Sequence, residues 1–240
     1  MFREIFYLVT MQLKGVKSYL IGYAFFSLLF PLGFMLEFGS LLSSSYVLYV
    51  VSGTLTAYLF IGTFTAVANN LANEMESGRF SLIIGTGIRK EVYSLSIVLS
   101  EIVADIVGIL TILAIGLYVY HVELKSIPLF IIALCSSIGL SATFGQVLAS
   151  AIKNPYEVSQ YSSVLGFALT FFAPVYYPLS IIPLPFRYLA FIEPSTYVSL
   201  AIHYSLEGSP YSLVWSLGAI IMALLLSAMG KISRFLKKVQ

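Results

Sequence analysis

The sequence has little charge: only 10% of its 240 residues are Asp, Glu, Lys or Arg, whereas 59% are hydrophobic. A soluble domain carries about 25% charged residues, so this chain could not cover a soluble surface with charge. The shortage excludes an ordinary soluble enzyme, a disordered protein and a nucleic-acid binder. Because the mean hydropathy is +0.93, the chain is predicted to be an integral membrane protein.

Cysteine and nucleotide-binding motifs are equally scarce. The single cysteine, Cys135, excludes an intrachain disulfide and a multi-cysteine metal site. The G-x-x-x-x-G-K-[ST] loop that cradles phosphates is missing, because the Gly230-Lys231 pair is followed by Ile232. His203 has no Cys, His or Asp at ligand spacing, so no metal site is predicted. The chain is expected to hold no cofactor, and any dependence on ATP would come from a partner.

Long uncharged windows predict an all-α membrane protein with six transmembrane helices, since every backbone amide in lipid needs an internal partner. The predicted spans are 18–36, 47–70, 100–120, 127–151, 158–176 and 211–230. The chain is predicted to be a single transmembrane domain, 1–240. Its parts are an N-terminal amphipathic interfacial helix (1–17), helices 1–2 (18–70), a cytoplasmic segment (71–91), helices 3–5 (92–176), an outer re-entrant segment (177–210), and helix 6 with a basic tail (211–240). The N-terminal helix could instead be a cytoplasmic extension of helix 1.

The distribution of Lys and Arg predicts the orientation, because short cytoplasmic loops carry an excess of both. Six spans put both termini on one side. That side receives eleven of the thirteen bases: Arg3, Lys14, Lys17, Arg79, Arg89, Lys90, Lys153, Lys231, Arg234, Lys237 and Lys238. The opposite side receives only Lys125 and Arg187. A multi-pass protein of the cell membrane with both termini in the cytoplasm is therefore predicted.

Two connections between the predicted spans are longer than a turn. The cytoplasmic one, 69–90, is predicted to extend helix 2, form a short interfacial helix and break at Gly85-Thr86-Gly87. The outer one, 177–211, is apolar, yet its prolines cannot lie inside one straight helix: Pro178, Pro183, Pro185 and Pro194. Short re-entrant helices are predicted there, because such backbone is tolerated at membrane depth only when it packs on protein.

Glu101 and Asp105 lie four residues apart, on one face of predicted helix 3. In the middle of a membrane such a pair would indicate a proton or cation site. The uncharged run begins only at Ile106, however, so both acids are expected near the cytoplasmic boundary. There they would form a wet helix end or pair with a base; the bases within reach are Arg79, Arg89 and Lys90.

Small residues recur at every fourth position in predicted helices 4 and 5, a spacing that lets helix backbones approach closely. In helix 5 they are Ser162, Gly166 and Thr170. Packing within the chain and a dimer interface with a second copy are both consistent with this spacing. Aromatic residues at mid-span to outer depth could line a substrate pathway or face lipid: Tyr58, Phe60, Phe64, Phe167 and Phe171.

The order of these parts resembles the membrane subunit of a type-2 ABC exporter, the ABC-2 permease family, over nearly the whole chain. The most specific likeness lies in 172–197, where an aromatic pair, spaced prolines and a closing Pro-x-Thr-Tyr follow the family's pattern. The matching residues are Tyr176, Tyr177, Pro178, Pro183, Arg187, Pro194, Thr196 and Tyr197. A weaker match, to Glu-x-Gly-Thr-x-Glu and then Pro, follows helix 2. There Glu76 and Gly78 agree with the family, whereas Arg79, Ser81 and Gly87 replace its Thr, Glu and Pro.

The resemblance implies a half-transporter without catalytic residues of its own. Two permease chains would pair around a pathway, each docked on a separate cytoplasmic subunit that binds ATP and Mg. The 71–91 segment combines charges with apolar residues, as a small interface does. Its predicted ATPase-coupling residues are Glu74, Glu76, Arg79, Phe80 and Leu82. Membrane lipid is a further expected partner, because the basic tail would attract anionic headgroups.

A rival interpretation is an ion-gradient-driven secondary transporter or channel that uses Glu101 and Asp105. The depth of these acids in the membrane separates the two interpretations: mid-membrane acids favour the rival, and a cytoplasmic position favours the ABC permease.

Overall fold

The structure is a computed structural model that describes residues 2–16, 20–41 and 46–239, with the side chains after Met229 left aside. Lys17 and Ser18, where the first span was predicted to begin, lie outside these ranges. So do the side chains of the basic tail. Within the described ranges the chain is all-helical. The α-helices are α1 (Phe2–Val16), α2 (Leu20–Ala24), α3 (Phe30–Leu41), α4 (Val47–Ala57), α5 (Phe64–Glu76), α6 (Arg79–Gly85), α7 (Lys90–Tyr118), α8 (Ile127–Ala151), α9 (Pro155–Phe172), α10 (Leu184–Ala190), α11 (Pro194–Leu206) and α12 (Tyr211–Val239).

Two π-helical turns join pairs of these helices without breaking their path. The turn π1 (Phe25–Leu29) connects α2 to α3, and π2 (Tyr58–Thr63) connects α4 to α5. A short 3₁₀ turn, Leu179–Ile181, follows α9. Five helical stretches are long and apolar enough to cross a membrane: Ile21–Ser40, Val47–Glu76, Lys90–Tyr118, Ile127–Ala151 and Tyr211–Met229.

The second of these stretches is the centre of the molecule. In its most apolar window 78% of the residues are buried, against 17–44% in the other four. Around it pack α7, α8, α9 and α11. Side chains such as Leu55, Leu59 and Phe60 are fully buried there, and they form the main apolar core with residues of α7, α8 and α11. A helix that is apolar on all sides lies in a protein core or spans a membrane, and in this chain the neighbouring helices surround it.

Glycine and proline set the boundaries of the shorter helices. Gly78, with φ of +73°, separates α5 from α6, and Gly87, with φ of +89°, ends the turn after α6. Proline cannot adopt a positive φ, which explains why glycine stands at 87 where the resemblance predicted Pro. Pro155 and Pro194 occupy the first turns of α9 and α11, where the missing N–H costs nothing.

Candidate functional site

A polar cavity of about 270 Å³ lies between the first three spans, with α1 along its side. Its walls come from α1, α2, π1, the π2–α5 segment, the start of α6 and α7. The polar lining residues are Gln12, Tyr23, Ser27, Tyr58, Asn70, Asn73, Glu74, Arg79, Ser100, Glu101 and Asp105. Polar groups are costly in a membrane and mark functional sites there, so this cavity is the candidate functional site.

Asp105 forms the deep end of the cavity. Its side chain is 7% exposed, and its Oδ2 accepts a hydrogen bond of 2.7 Å from Thr63 Oγ1. Glu101 lines the same wall, one helical turn earlier on α7. Asp105 lies near the middle of the 29-residue α7, about 22 Å along the axis from Lys90 at about 1.5 Å per residue. Asp105 is therefore neither at the end of its helix nor beside Lys90, and its depth in the membrane stays a prediction.

Both π turns lie beside the acids. Ser27 of π1 and the Tyr58 hydroxyl of π2 are 3.2 Å apart, and the ring of Phe26 stacks on that of Tyr58. Gly108 of α7 passes so close to the Tyr58 ring that a Cβ would collide with it. Because α7 carries glycine there, the Tyr58 ring can lie against it. The Tyr23 hydroxyl donates to the carbonyl of Ala104, next to Asp105.

The opposite end of the cavity reaches the 71–91 segment and α1. Gln12 of α1 is held on α7 by a hydrogen bond from Ser100 Oγ to its Oε1, 2.5 Å long, and by a contact of its Nε2 with Ser96 Oγ, 3.4 Å. Arg79 pairs with Glu74 across the start of α6, at 3.9 Å. The cavity therefore runs from the 71–91 end to the middle of α7.

The predicted coupling residues lie together at this end, but they differ in exposure. Phe80 is partly buried and packs edge-on against Tyr93 of α7, with ring centroids 5.4 Å apart. Leu82 is 75% exposed, and Glu76 is exposed at the end of α5. Phe80 thus anchors α6 to the bundle, whereas Leu82 is presented to the surroundings.

The predicted pathway residues separate into two groups. Tyr58, Phe60 and Phe64 are buried inside the chain, and Tyr58 belongs to the cavity wall. Phe167 and Phe171 are exposed on α9, Phe171 by 63%. The structure does not bring these two groups into one surface, because α9 turns Phe167 and Phe171 away from the core.

The small-residue stripe on α9 packs within the chain. Ser162, Gly166 and Thr170 are buried, and a Cβ at Gly166 would lie 3.5 Å from the Phe64 ring and 3.7 Å from Ile61 Cα. Of the two alternatives for this stripe, packing against the central helix is the one seen in a single chain. A second copy could contact only the opposite face of α9.

The outer proline-rich segment folds into helices whose starts match its prolines. Tyr177 and Pro178 precede the 3₁₀ turn, and Pro183 precedes α10. Pro194 begins α11, whose first backbone amides, of Ser195 and Thr196, donate to the Glu193 carboxylate. Tyr197 donates from its hydroxyl to the carbonyl of Phe191, 2.7 Å away, and packs against Trp215. This motif therefore ties α11 to α12.

Sequence reasoning missed several residues of the cavity, notably Tyr23, Ser27 and Ser100, and it missed Thr63, which donates to Asp105. Their signal is weak: single hydroxyls within apolar windows face the bundle interior, but they also occur at ordinary helix contacts. The π turns that bring Ser27 and Tyr58 together follow no spacing visible in the sequence. No group of three His, Cys, Asp or Glu side chains that could hold a metal occurs in the ranges the structure describes.

Apolar helices long enough to cross a membrane, around a cavity with many polar lining residues, indicate a multi-pass membrane protein. The sequence profile of the ABC-2 type transporter membrane family matches residues 3–206, and the chain belongs to this family. No curated protein matches the chain. Family membership confirms the predicted ABC transporter permease: the chain is a component of a transmembrane pathway and is not itself the catalyst.

Proposed function

We propose that this chain is the permease subunit of an ATP-driven exporter. It pairs with a second permease chain, and a separate cytoplasmic subunit binds the ATP and Mg. Membership of the ABC-2 family supports this proposal, as does the missing phosphate-cradling loop. The observation that carries it is the exposure of Leu82 on α6, a short helix held between two spans.

The packing of α6 suggests how ATP binding would reach the pathway. Phe80 attaches α6 to α7 through Tyr93, and Arg79 attaches it to α5 through Glu74. A partner that pushes on Leu82 would therefore move the ends of α5 and α7 together. These helices form two walls of the polar cavity, so movement of α6 would change its shape.

The topology of the proposal has six spans. The sixth is α9, whose 18 residues extend about 27 Å at about 1.5 Å per residue, close to the thickness of a bilayer core. Both termini would be cytoplasmic, at the cell membrane. The helix α1, which packs on α7 with Phe6 and Tyr7 exposed, would lie in the inner interface. The segment from Leu179 to Ala190 would dip into the outer leaflet.

The second permease chain would contact the outward face of α9. That face exposes Tyr161, Val164, Phe167 and Phe171, whereas the opposite face is covered by the chain's own central helix. A pathway between two chains would be lined by residues that are exposed on the surface of each chain taken alone. Phe167 and Phe171 meet this condition, whereas Tyr58, Phe60 and Phe64, which are buried, do not.

The coupling role of α6 is tested by Leu82→Glu, which puts a charge in the apolar centre of the proposed contact while leaving Phe80 in place. We expect the amount of ATP-binding subunit that co-purifies with the tagged Leu82→Glu chain to be about tenfold or more below that of the wild type. Transport-linked ATP hydrolysis should fall with it. A charge in an apolar interface centre is strongly unfavourable. Co-purification and ATP hydrolysis in reconstituted vesicles are the measurements.

Tyr156→Glu is the matched control, because Tyr156 is also exposed, by 71%, and lies on the same predicted side in the first turn of α9. It should retain the partner. Normal co-purification and hydrolysis in Leu82→Glu would contradict the assignment of α6. Absence of any ATP-binding subunit with the wild-type chain would contradict the proposed function itself.

A further inference from the structure

The cavity between the first three spans has an unbalanced charge. Three acids line it, Glu74, Glu101 and Asp105. Among the described lining residues, Arg79 is the basic one. Arg79 lies 3.9 Å from Glu74 at the 71–91 end. The deep end, with Glu101 and Asp105, therefore has no positive side chain among the lining residues that the structure describes.

A carboxylate inside a membrane protein requires a positive partner or a proton. The hydroxyl of Thr63 satisfies one oxygen of Asp105, but a hydroxyl supplies a hydrogen bond and no charge. A cation in the cavity would supply the charge. Since Glu101 and Asp105 are one turn apart on the same face of α7, a single cation between them could contact both.

Aromatic side chains form part of the cavity wall. The rings of Phe26 and Tyr58 stack with centroids 5.6 Å apart, and Tyr23 completes this wall. The Phe26 ring also stacks on Phe30, with centroids 4.7 Å apart, so these rings supply apolar surface to the cavity. A strongly hydrated metal ion would gain little from such a wall, so an organic cation fits better than an inorganic one.

We propose that this cavity binds a small organic cation, whose ammonium group lies between Glu101 and Asp105 and whose apolar part lies against Tyr58 and Phe26. The volume of about 270 Å³ is near the lower end of ligand pockets, which restricts the occupant to about one ring with a short chain. The binding site is inferred from the cavity alone. Its use in selecting exported cations rests on the proposed function.

The position of the mouth agrees with this use. Gln12, Glu74 and Arg79 surround the end of the cavity near α6, the end that the charge distribution places in the cytoplasm. A cation would therefore enter from the side on which an exporter collects its substrate. Because α6 is attached to α5 and α7, the proposed ATPase contact lies next to this mouth.

The test uses the full-length chain in nanodiscs of phosphatidylcholine, whose headgroups carry no net charge, without any ATP-binding subunit. Benzyltrimethylammonium is titrated into the discs by calorimetry, and neopentylbenzene, which has the same shape without charge, is the competitor. We expect saturable binding of the cation to the wild-type chain. Glu101→Gln and Asp105→Asn should each weaken binding by about tenfold or more, and neopentylbenzene should not displace the cation.

Glu91→Gln is the matched control, because Glu91 is an exposed acid at the start of the same helix, away from the cavity. It should bind as the wild type does. Unchanged affinity in both cavity variants, displacement by neopentylbenzene, or no binding to the wild type would overturn the proposal. Should Asp105→Asn fail to fold, Glu101→Gln decides alone, since Glu101 is only partly buried. The ATPase is absent, so a failed coupling test would leave this result standing.

Discussion

At the scale of single residues, Asp105 is an acid that lies at the middle of a helix and is buried by neighbouring helices. It is the single aspartate of the sequence, and the uncharged run after it suggested a membrane boundary. In the folded chain α7 begins at Lys90 and carries Asp105 to its middle. Thr63 donates to the carboxylate and the cavity adjoins it, so the acid faces protein and a polar space. The end of an uncharged run therefore does not mark the end of the helix.

His203, on α11, is a second buried ionisable residue. Its ring stacks on Tyr49 with centroids 4.0 Å apart, its Nδ1 lies 3.3 Å from Ser52 Oγ, and its Nε2 lies 3.4 Å from the Glu207 carboxylate. Burial lowers the pKa of His203 to about 4. His203 is therefore neutral in the folded chain at neutral and mildly acidic pH, whereas in the unfolded chain its ring takes up a proton near pH 6.5.

This difference predicts a loss of stability in acid. The contribution of neutral His203 is complete above about pH 6.5 and is lost as the pH falls from there towards 4. Between pH 7.5 and pH 5 the free energy of unfolding should fall by about 2 kcal/mol. Denaturant unfolding in micelles at the two pH values measures this free energy. His203→Gln should lack this step, and an equal pH dependence in that variant would show that another group is responsible.

At the scale of helices, close contacts decide which glycines matter. In α8 a Cβ at Gly145 would lie 2.7 Å from the carbonyl oxygen of Phe64 and 3.1 Å from the amide of Ala68, both backbone atoms of α5. In α9 a Cβ at Gly166 would meet its nearest neighbour only at 3.5 Å. Equal spacing of small residues in the two helices therefore conceals different contacts.

We predict opposite outcomes for alanine at these two glycines. Gly145→Ala should lower the free energy of unfolding by about 1–3 kcal/mol, because the methyl group would have to push α5 and α8 apart. Gly166→Ala should leave stability unchanged or raise it by up to about 1 kcal/mol, since alanine favours helix. Unfolding of both variants in the same micelles compares them directly. Equal destabilisation by the two changes would contradict the geometry.

At the scale of the whole molecule, the status of α9 decides the topology. Five helical stretches meet the length and hydropathy of a span, and α9 carries Glu157 and several hydroxyls in its first half. With α9 spanning, both termini lie in the cytoplasm and the connection between α11 and α12 lies outside. With five spans alone, that connection would lie inside.

Cysteine labelling at Ser209 separates these two topologies. In a Cys135→Ser background, Ser209→Cys should react with an impermeant maleimide in intact cells, because six spans place it outside. Ser77→Cys, in the turn between α5 and α6, should react only after the membrane is permeabilised. Protection of Ser209→Cys in intact cells would show that α9 does not cross the membrane. Labelling of Ser77→Cys in intact cells would invert the orientation.

The sequence by itself determined the class of this protein. Low charge and long apolar runs require helices in a membrane, and the parts around 76–78 and 172–197 sufficed to indicate the ABC-2 family. The starts of the outer helices could also be predicted near Pro183 and Pro194, because proline restricts the backbone locally. These features depend on composition and on neighbours in the chain, which the sequence contains directly.

Only the tertiary structure decided which faces of the helices meet. It turned Ser162, Gly166 and Thr170 towards the central helix and left Phe167 and Phe171 outside. It also gathered Ser27, Tyr58 and Asp105 from three spans into one cavity wall and placed Thr63 behind Asp105 as its hydrogen-bond donor. Apolar spans have weak periodicity, because lipid and protein are both suitable surroundings for an apolar side chain. The direction in which each residue points therefore follows from packing between helices distant in sequence.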